Sequence, residues 1–223
     1  MQARQKKVLE INVVNLRDYA KDRHRTVDDV PYGGGPGMVF KPEPVFEAMD
    51  ALRSPATRVI LPSPQGRRFT QDVAKELAAN SHLVFICGRY EGVDERIRKA
   101  LVDEEFSIGD FVTMGGELPA LILLEAIVRF VPLVVGDEQS VVLDSFQDSL
   151  LDYPHYTRPA EYRGHTVPDV LLSGHHEQVR RWRRRMALQQ TLQRRPDLLE
   201  KAPLTVEDRK ILEELRSDKD RES

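Results

Sequence analysis

The stretch Ser107-Ile108-Gly109-Asp110-Phe111-Val112-Thr113-Met114-Gly115-Gly116-Glu117-Leu118-Pro119-Ala120 says most about the fold of this chain. It carries three glycines and one proline at a point where a strand passes into a helix. Glycine lets a ligand approach the main chain and permits positive φ, while Pro119 already has the φ of a first helical turn. The apolar run Leu121–Leu124 continues as a buried helix. A glycine pair also makes simple tight turns, so this stretch alone leaves a ligand loop and a plain turn equally open.

Two further glycine-bearing loops follow predicted strands. Leu61–Gly66 comes after the β-rich run 58–60 and before a helix that starts near Thr70. Cys87–Gly92 comes after Leu83–Ile86, whose unbroken apolar character is typical of a strand buried on both faces of a parallel sheet. Ligands bind to open parallel sheets at the carboxyl ends of the strands. The three loops together therefore predict an α/β fold with a ligand site at that edge.

The common phosphate-binding motifs do not describe these loops. The sequence has no Gly-x-x-x-x-Gly-Lys-Ser/Thr, and neither Gly33–Gly37 nor the loop at Gly115 has the spacing Gly-x-Gly-x-x-Gly after a strand. The loops also lack the surplus of Lys or Arg that would hold a polyphosphate. The sequence therefore favours a ligand of low net charge that is bound by backbone amides and carbonyls.

A series of short motifs runs through nearly the whole chain in a fixed order. They are His24–Asp29, Pro31–Met38, Ser63–Gly66, Cys87–Arg96, Ser107–Asp110, Gly115–Ala120, Asp144–Phe146, Pro154–Pro159 and Leu172–His175. In this order they resemble the bacterial tRNA (guanine-37-N1)-methyltransferases of the SPOUT class, from about Val8 to about Leu199. Any one motif could arise by chance, but the ordered set is very specific.

The resemblance implies a fold and a domain organisation. Residues 1–136 would form a parallel α/β sheet with helices on both faces and a C-terminal trefoil knot, although knots are very rare in proteins. Residues 137–150 would be a linker, and 151–223 a small, mainly helical tRNA-binding domain. The short strand with which relatives begin has no counterpart before Leu9–Val14, so we expect an exposed sheet edge. The charged segment Glu213–Ser223 is expected to fray.

The family binds S-adenosylmethionine in the knot loops, and this cofactor agrees with the ligand expected from the residues. The implied cofactor-binding residues are Pro64, Gly88, Tyr90, Glu91, Ile108, Gly109, Asp110, Phe111, Val112, Thr113, Gly115, Gly116 and Pro119. A Mg²⁺ requirement is compatible with the family, but no carboxylate cluster in the sequence identifies a metal site.

Two residues carry the catalytic expectation, and both roles come from the resemblance. Asp144 matches the general base that removes the proton from guanine N1. Arg129, on the helix predicted to end at Pro132, matches an arginine that assists at the catalytic centre. Composition alone would make Asp144 a solvated loop acid and Arg129 a surface helix residue.

The distribution of charge along the chain indicates a nucleic-acid partner, although the net charge does not. The net charge is −3 and the sequence pI about 6.1, yet arginines cluster around Trp182 in one predicted helix. Such a stripe can track phosphates. It could equally be a solvated helix whose arginines pair with acids. The expected tRNA-binding residues are His155, Arg158, Arg180, Arg181, Arg183 and Arg184.

Several function classes are disfavoured by the remaining composition. Cys87 is the only cysteine, and the six histidines lack the spacing of a zinc site. No apolar run reaches about 18 residues and no signal peptide precedes Val8, so we expect a soluble, cytoplasmic protein without a membrane segment.

The leading hypothesis is a methyltransferase that moves a methyl group from S-adenosylmethionine to N1 of guanosine 37 in tRNA. The family implies a homodimer in which the linker acid of one subunit serves the cofactor of the other. The alternative hypothesis is a catalytically impaired RNA-binding or assembly protein of the same fold.

Overall fold

A computed structural model describes residues 8–134 and 144–222 of the chain. The chain divides into two compact units, residues 1–136 and 137–223. Two hydrophobic clusters form the core of the first unit, and a third cluster lies in the second unit.

The described part of the first unit alternates strands with helices. In chain order the elements are a 3-10 helix Leu16–Tyr19, β1 Asp28–Asp29, β2 Val39–Phe40, α1 Pro42–Leu52, β3 Thr57–Arg68, α2 Gln71–Leu77, β4 His82–Phe85, α3 Glu95–Leu101, β5 Glu104–Ser107 and α4 Glu117–Val128. The helix predicted near Thr70 is confirmed, because the Thr70 hydroxyl accepts a hydrogen bond from the Val73 amide and caps α2.

The main sheet is parallel, as the sequence predicts, with the strand order β4-β3-β5. Alternate residues of β3 enter different clusters. Val59 and Leu61 belong to the cluster that contains buried residues of α1 and α3. Ile60 belongs to the cluster that contains buried residues of α2 and α4. Helices thus cover both faces of the sheet. Because the three strands are parallel, the loops that follow β4 and β5 lie at the same, carboxyl edge.

β3 differs from the sequence prediction at Leu61–Gly66, which was expected to be a loop after the strand. The strand continues to Arg68. Pro62 and Arg67 are both in register with Phe106 of β5, so the residues between them form an irregularity in the ladder. A Cβ added to Gly66 would lie 2.4 Å from the backbone of Glu105 and Phe106. The chain can therefore press this closely against β5 only because residue 66 is glycine.

The second unit is mainly helical over its described residues. Its elements are β6 Glu161–Tyr162, β7 His165–Thr166, α5 Asp169–Leu172, α6 His176–Arg194, a 3-10 helix Pro196–Glu200 and α7 Val206–Glu222. Leu150, Leu188 and Leu212 form its buried centre. None of the helices in the described ranges is long and apolar enough to cross a membrane.

The expectation that Glu213–Ser223 frays is wrong for the part that is described, because α7 continues to Glu222. Two contacts support this stretch. Arg185 of α6 donates to Glu214 at 2.7 Å, and Leu215 packs against the core of the unit. These contacts come from a distant part of the chain, so the local charge pattern could not reveal them.

Candidate active site

Two of the predicted loops meet at the carboxyl edge of the sheet. We call residues 86–92, which follow β4, and residues 108–116, which follow β5, the paired loops. The Gly116 amide donates to the Gly88 carbonyl at 2.7 Å, and Arg89 forms an antiparallel bridge with Gly115. The backbones of the two loops are therefore joined directly.

The centre of this junction leaves little room for a side chain at residue 116. A Cβ on Gly116 would lie 3.0 Å from both Cys87 Cα and the Gly88 nitrogen. Because these are backbone atoms, no side-chain rotation could relieve the contact. The glycine pair is thus more than a simple turn: it permits the close approach of two ligand-loop candidates.

An ion pair ties the same loops to the first turn of α4. Arg89 Nε donates to Glu117 Oε1 at 2.6 Å. Burial acts to raise the pKa of Glu117, but the Arg89 guanidinium holds this pKa below its usual range. The charge of Arg89 is therefore balanced within the loops, which agrees with the prediction of a ligand of low net charge.

The remaining predicted positions in the paired loops present both backbone and apolar surface. Tyr90 has a φ of +56° and is exposed, as are Phe111 and Val112. The Thr113 hydroxyl donates to the Gly115 carbonyl at 2.8 Å. Of the further predicted cofactor-binding residues, Ile108 packs against the core, Gly109 has a φ of +149°, Asp110 is exposed and Pro119 is buried in the first turn of α4.

A third segment lies against the paired loops, and the sequence did not place it there. The Glu91 amide donates to the Met38 carbonyl at 3.1 Å, and the Phe40 amide donates to the Gly92 carbonyl at 3.0 Å. A Cβ on Gly37 would come within 2.5 Å of Glu91 Oε1. The glycine-rich run 33–37 was the only local signal, and it could not indicate which loop it would contact.

Pro64 reaches the same edge by a different route. It lies in the irregular part of β3, between the two residues that are in register with Phe106 near the end of β5. The neighbouring Ser63 hydroxyl accepts a hydrogen bond from the Gln65 amide at 3.1 Å. The structure thus places Pro64 at the carboxyl edge of the sheet, within a strand rather than in a free loop.

The two expected catalytic residues lie in different units. Helix α4 ends at Val128 instead of Pro132, so Arg129 is its C-terminal cap rather than a residue on its face. The Phe130 amide donates to the Ile127 carbonyl at 3.0 Å, so the chain leaves the α-helix through a tighter turn before Pro132. Asp144 belongs to the second unit, where its Oδ1 accepts a hydrogen bond from the Ser145 amide at 3.2 Å. The linker residues 137–143 lie outside the described residues.

The arginines of α6 divide by their partners. Arg180 and Arg181 share the single carboxylate of Glu177, at 2.8 and 3.0 Å. The guanidinium of Arg183 lies over the Tyr153 ring, 5.0 Å from its centroid. The first part of the helix therefore has more positive than negative charge, as a phosphate-binding surface requires.

Arg184 is part of a buried network instead. It donates two hydrogen bonds of 2.8 Å to the carboxylate of Asp208, whose side chain is only 2% exposed. Asp208 also accepts from the Thr205 amide and caps the start of α7. Arg184 is therefore an arginine of this helix that pairs with an acid, which was the alternative to phosphate binding in the sequence analysis.

His155 and Arg158 lie outside α6, in the segment that follows Tyr153. His155 Nε2 lies 2.7 Å from Asp152 Oδ2. His155 and Arg158 line a groove of about 390 Å³ on the second unit, together with residues of α6. The sequence grouped these residues by motif, and the structure shows that they share one surface.

Known proteins of one family are similar to this chain over most of its length. The family model described as tRNA (Guanine-1)-methyltransferase TrmD matches residues 1–201. A tRNA (guanine-N(1)-)-methyltransferase of Dictyoglomus turgidum is 54% identical over 97% of this chain and 88% of its own length. Proteins of the same name are 56% identical in Geobacter metallireducens, over 95% and 87% of the two chains, and 57% identical in Staphylococcus carnosus, over 95% and 86%.

Proposed function

The chain belongs to the tRNA (guanine-1)-methyltransferase family, and we propose that it methylates N1 of guanosine 37 in tRNA with S-adenosylmethionine as donor. The family match and the names of the relatives confirm the prediction from the sequence that the protein is a tRNA (guanine-N1)-methyltransferase. The choice of donor and of position 37 is the proposed part. The observation that carries the donor proposal is the direct backbone contact of Gly88 with Gly116 at the carboxyl edge of the sheet.

The paired loops fit a donor such as S-adenosylmethionine. Their backbones approach so closely that a side chain at residue 116 would be tightly packed against residues 87 and 88, and the only arginine between residues 86 and 92 is balanced by Glu117. Amides and carbonyls at this edge are suited to the adenine and ribose, and exposed Tyr90 and Phe111 offer apolar contact. When bound, the donor supplies an electrophilic methyl group on a sulfonium centre. Holding this group in line with the nucleophile is the main task of the loops.

Guanine N1 carries a proton at neutral pH, so the protein must also remove this proton as the new N–C bond forms. We assign this step to the carboxylate of Asp144, which accepts the N1 proton. The guanidinium of Arg129 offsets the negative charge that develops on guanine O6. Both assignments rest on the match of their motifs to the family. Among the described residues no cluster of His, Cys, Asp or Glu could hold a metal ion, and no step is assigned to Mg²⁺.

The tRNA contacts belong to the second unit. Arg180, Arg181 and Arg183 form an exposed basic surface on α6, and Arg158 lies on the same unit. We assign phosphate binding to these residues, whereas Arg184 serves mainly to hold Asp208 and thus shapes the surface. A tRNA substrate also implies that the protein acts in the cytoplasm.

A homodimer and a trefoil knot complete the proposal. Leu118, Leu121 and Ile122 occupy one face of α4 and are each more than half exposed. An apolar face of this kind is typical of a protein–protein contact, and a second copy of the chain is the partner that the family implies. The knot would be formed by the chain around the paired loops.

The proposal is tested by incubating the purified protein with labelled S-adenosylmethionine and two tRNA transcripts that differ only at position 37. We expect label on the transcript with guanosine 37 and none on the transcript with adenosine 37. Retained donor binding without transfer to either transcript would contradict the proposal and favour the impaired RNA-binding protein. No observation on the described residues favours that alternative.

A further inference from the structure

A groove on the second unit has an aromatic lining. It is about 390 Å³ in volume and lies between residues 153–160 and the helices α5 and α6. The rings of Tyr156 and Trp182 stand 6.3 Å apart, centroid to centroid, and are inclined by 56°. A volume of this size is within the range of sites for small ligands, which is about 300–1,000 Å³.

The aromatic rings in this groove differ in how much of their surface other side chains cover. Tyr153 has the His155 ring 4.7 Å away and the Arg183 guanidinium 5.0 Å away. Tyr156, by contrast, is 49% exposed. Trp182 is half-buried and lines the groove from α6. Tyr156 and Trp182 therefore leave ring surface open to a ligand, whereas Tyr153 is covered by His155 and Arg183.

The charge of the groove is positive. Arg158 and Arg183 both line it. In the described ranges neither has a carboxylate within ion-pair distance, whereas the neighbouring Arg184 and Arg185 do. The carboxylate of Asp152, which lies next to the groove, is paired with His155. An aromatic platform beside unpaired guanidinium groups is the combination that binds single-stranded nucleic acid.

We propose that this groove holds one unstacked base of a single-stranded RNA segment, with the base on Tyr156 and Trp182 and its phosphates near Arg158 and Arg183. The proposal rests on the proposed function, which makes the RNA a tRNA. The base is not the methylated guanine, because none of the residues assigned to methyl transfer lines the groove. Single-stranded loops are the usual targets of such recognition, since their bases are free to turn outward.

A proline-rich peptide is the competing occupant, because aromatic grooves also bind polyproline segments. The positive rim favours RNA. The two occupants are distinguished directly by using both as probes.

The first test uses Trp182, which is the only tryptophan of the chain. An anticodon stem-loop RNA is added to the whole protein while the emission of Trp182 is followed, and binding is measured separately by anisotropy of the labelled RNA. We expect saturable quenching by the stem-loop and none by the same stem closed into a continuous duplex. Bound stem-loop without a change in emission would overturn the proposal. Equal quenching by the duplex, or quenching by a proline-rich peptide but not by RNA, would overturn it as well.

The second test compares Tyr156→Ala with a matched control, Tyr162→Ala. Tyr162 is another exposed tyrosine of the same unit, 60% exposed, and it does not line the groove. We expect Tyr156→Ala to weaken stem-loop binding about 5- to 150-fold, which corresponds to about 1–3 kcal/mol per stacked base. The control should retain wild-type affinity, and both variants should keep the wild-type melting temperature.

The kinetics separate this proposal from the proposed function. Tyr156→Ala should raise KM for tRNA and leave both kcat and the affinity for S-adenosylmethionine close to wild type. Wild-type KM in an active Tyr156→Ala enzyme would refute the groove and leave the proposed function intact. Quenching of Trp182 by the stem-loop in a protein that transfers no methyl group would support the groove and refute the proposed function.

Discussion

Gly116→Ala is expected to separate donor binding from folding. The added Cβ would stand 3.0 Å from Cys87 Cα and from the Gly88 nitrogen. Non-bonded carbon atoms prefer separations of about 3.5–4.0 Å, so the backbone of one loop must give by a few tenths of an ångström. That movement also lengthens the hydrogen bond of 2.7 Å from the Gly116 amide to the Gly88 carbonyl. The paired loops would therefore lose their alignment at the point where we place the donor.

The expected loss of donor affinity follows from the free-energy cost of overpacking, which is about 1–3 kcal/mol. If this cost falls on the loop arrangement that binds S-adenosylmethionine, the dissociation constant should rise about 5- to 150-fold. Isothermal titration calorimetry with S-adenosylmethionine measures this change. A thermal melt of the same preparation shows whether the variant is folded.

Gly164→Ala is the control for a general loss of stability. Gly164 has a φ of +79° and open space around its Cα, so alanine there costs about 1–2 kcal/mol of backbone strain without a clash. It lies between β6 and β7, away from the paired loops in the chain. Its donor affinity should equal that of the wild type. Unchanged donor affinity in folded Gly116→Ala, or an equal loss in both variants, would refute the reasoning.

Three further outcomes are expected. Asp144→Asn should abolish turnover and leave the affinity for S-adenosylmethionine unchanged in calorimetry; a loss of donor binding would rule out a role as base only. Asp208→Asn should lower the free energy of unfolding in urea by about 3 kcal/mol at neutral pH, because it removes the buried partner of Arg184. Glu214→Gln, whose side chain is 62% exposed, should cost less than about 1 kcal/mol. Arg184 lowers the pKa of Asp208 to about 2, from about 4 in the unfolded chain. The stabilisation by Asp208 is therefore complete above pH 4 and is lost as the pH falls towards 2, so the stabilities of the wild type and Asp208→Asn should converge there. A difference in stability that does not change with pH would contradict the assignment. Replacing Arg180 and Arg181 with Gln should lower the slope of log affinity for tRNA against log salt by about 1–2, and an unchanged slope would exclude phosphate contacts at these residues.

The parts of the fold that depend on local pattern could be predicted from the sequence. The apolar run before Cys87 predicts β4, and Pro119 marks the first turn of α4. The irregular ladder of β3 could not be predicted, since it arises where Pro62 and Arg67 both face Phe106 of another strand.

The same limit applies to the candidate site and to the end of the chain. Motif order identified Gly88 and Gly116, but the hydrogen bond between them depends on the packing of two strands. The partner of Arg184 is Asp208, 24 residues further along the chain, so the arginine stripe alone could not separate a structural arginine from surface arginines. Helix α7 extends to Glu222, and it is contacted on its charged side by Arg185 of α6, which is distant in the sequence.

The position of the methyl group in the product tests the proposed activity. A tRNA transcript with guanosine 37 is incubated with the protein and S-adenosylmethionine, digested to nucleosides and analysed by mass spectrometry, and the modified position is mapped by primer extension. We predict 1-methylguanosine as the product and a single stop at position 37. A methyl group on another atom of guanine, or at another position of the tRNA, would contradict the account.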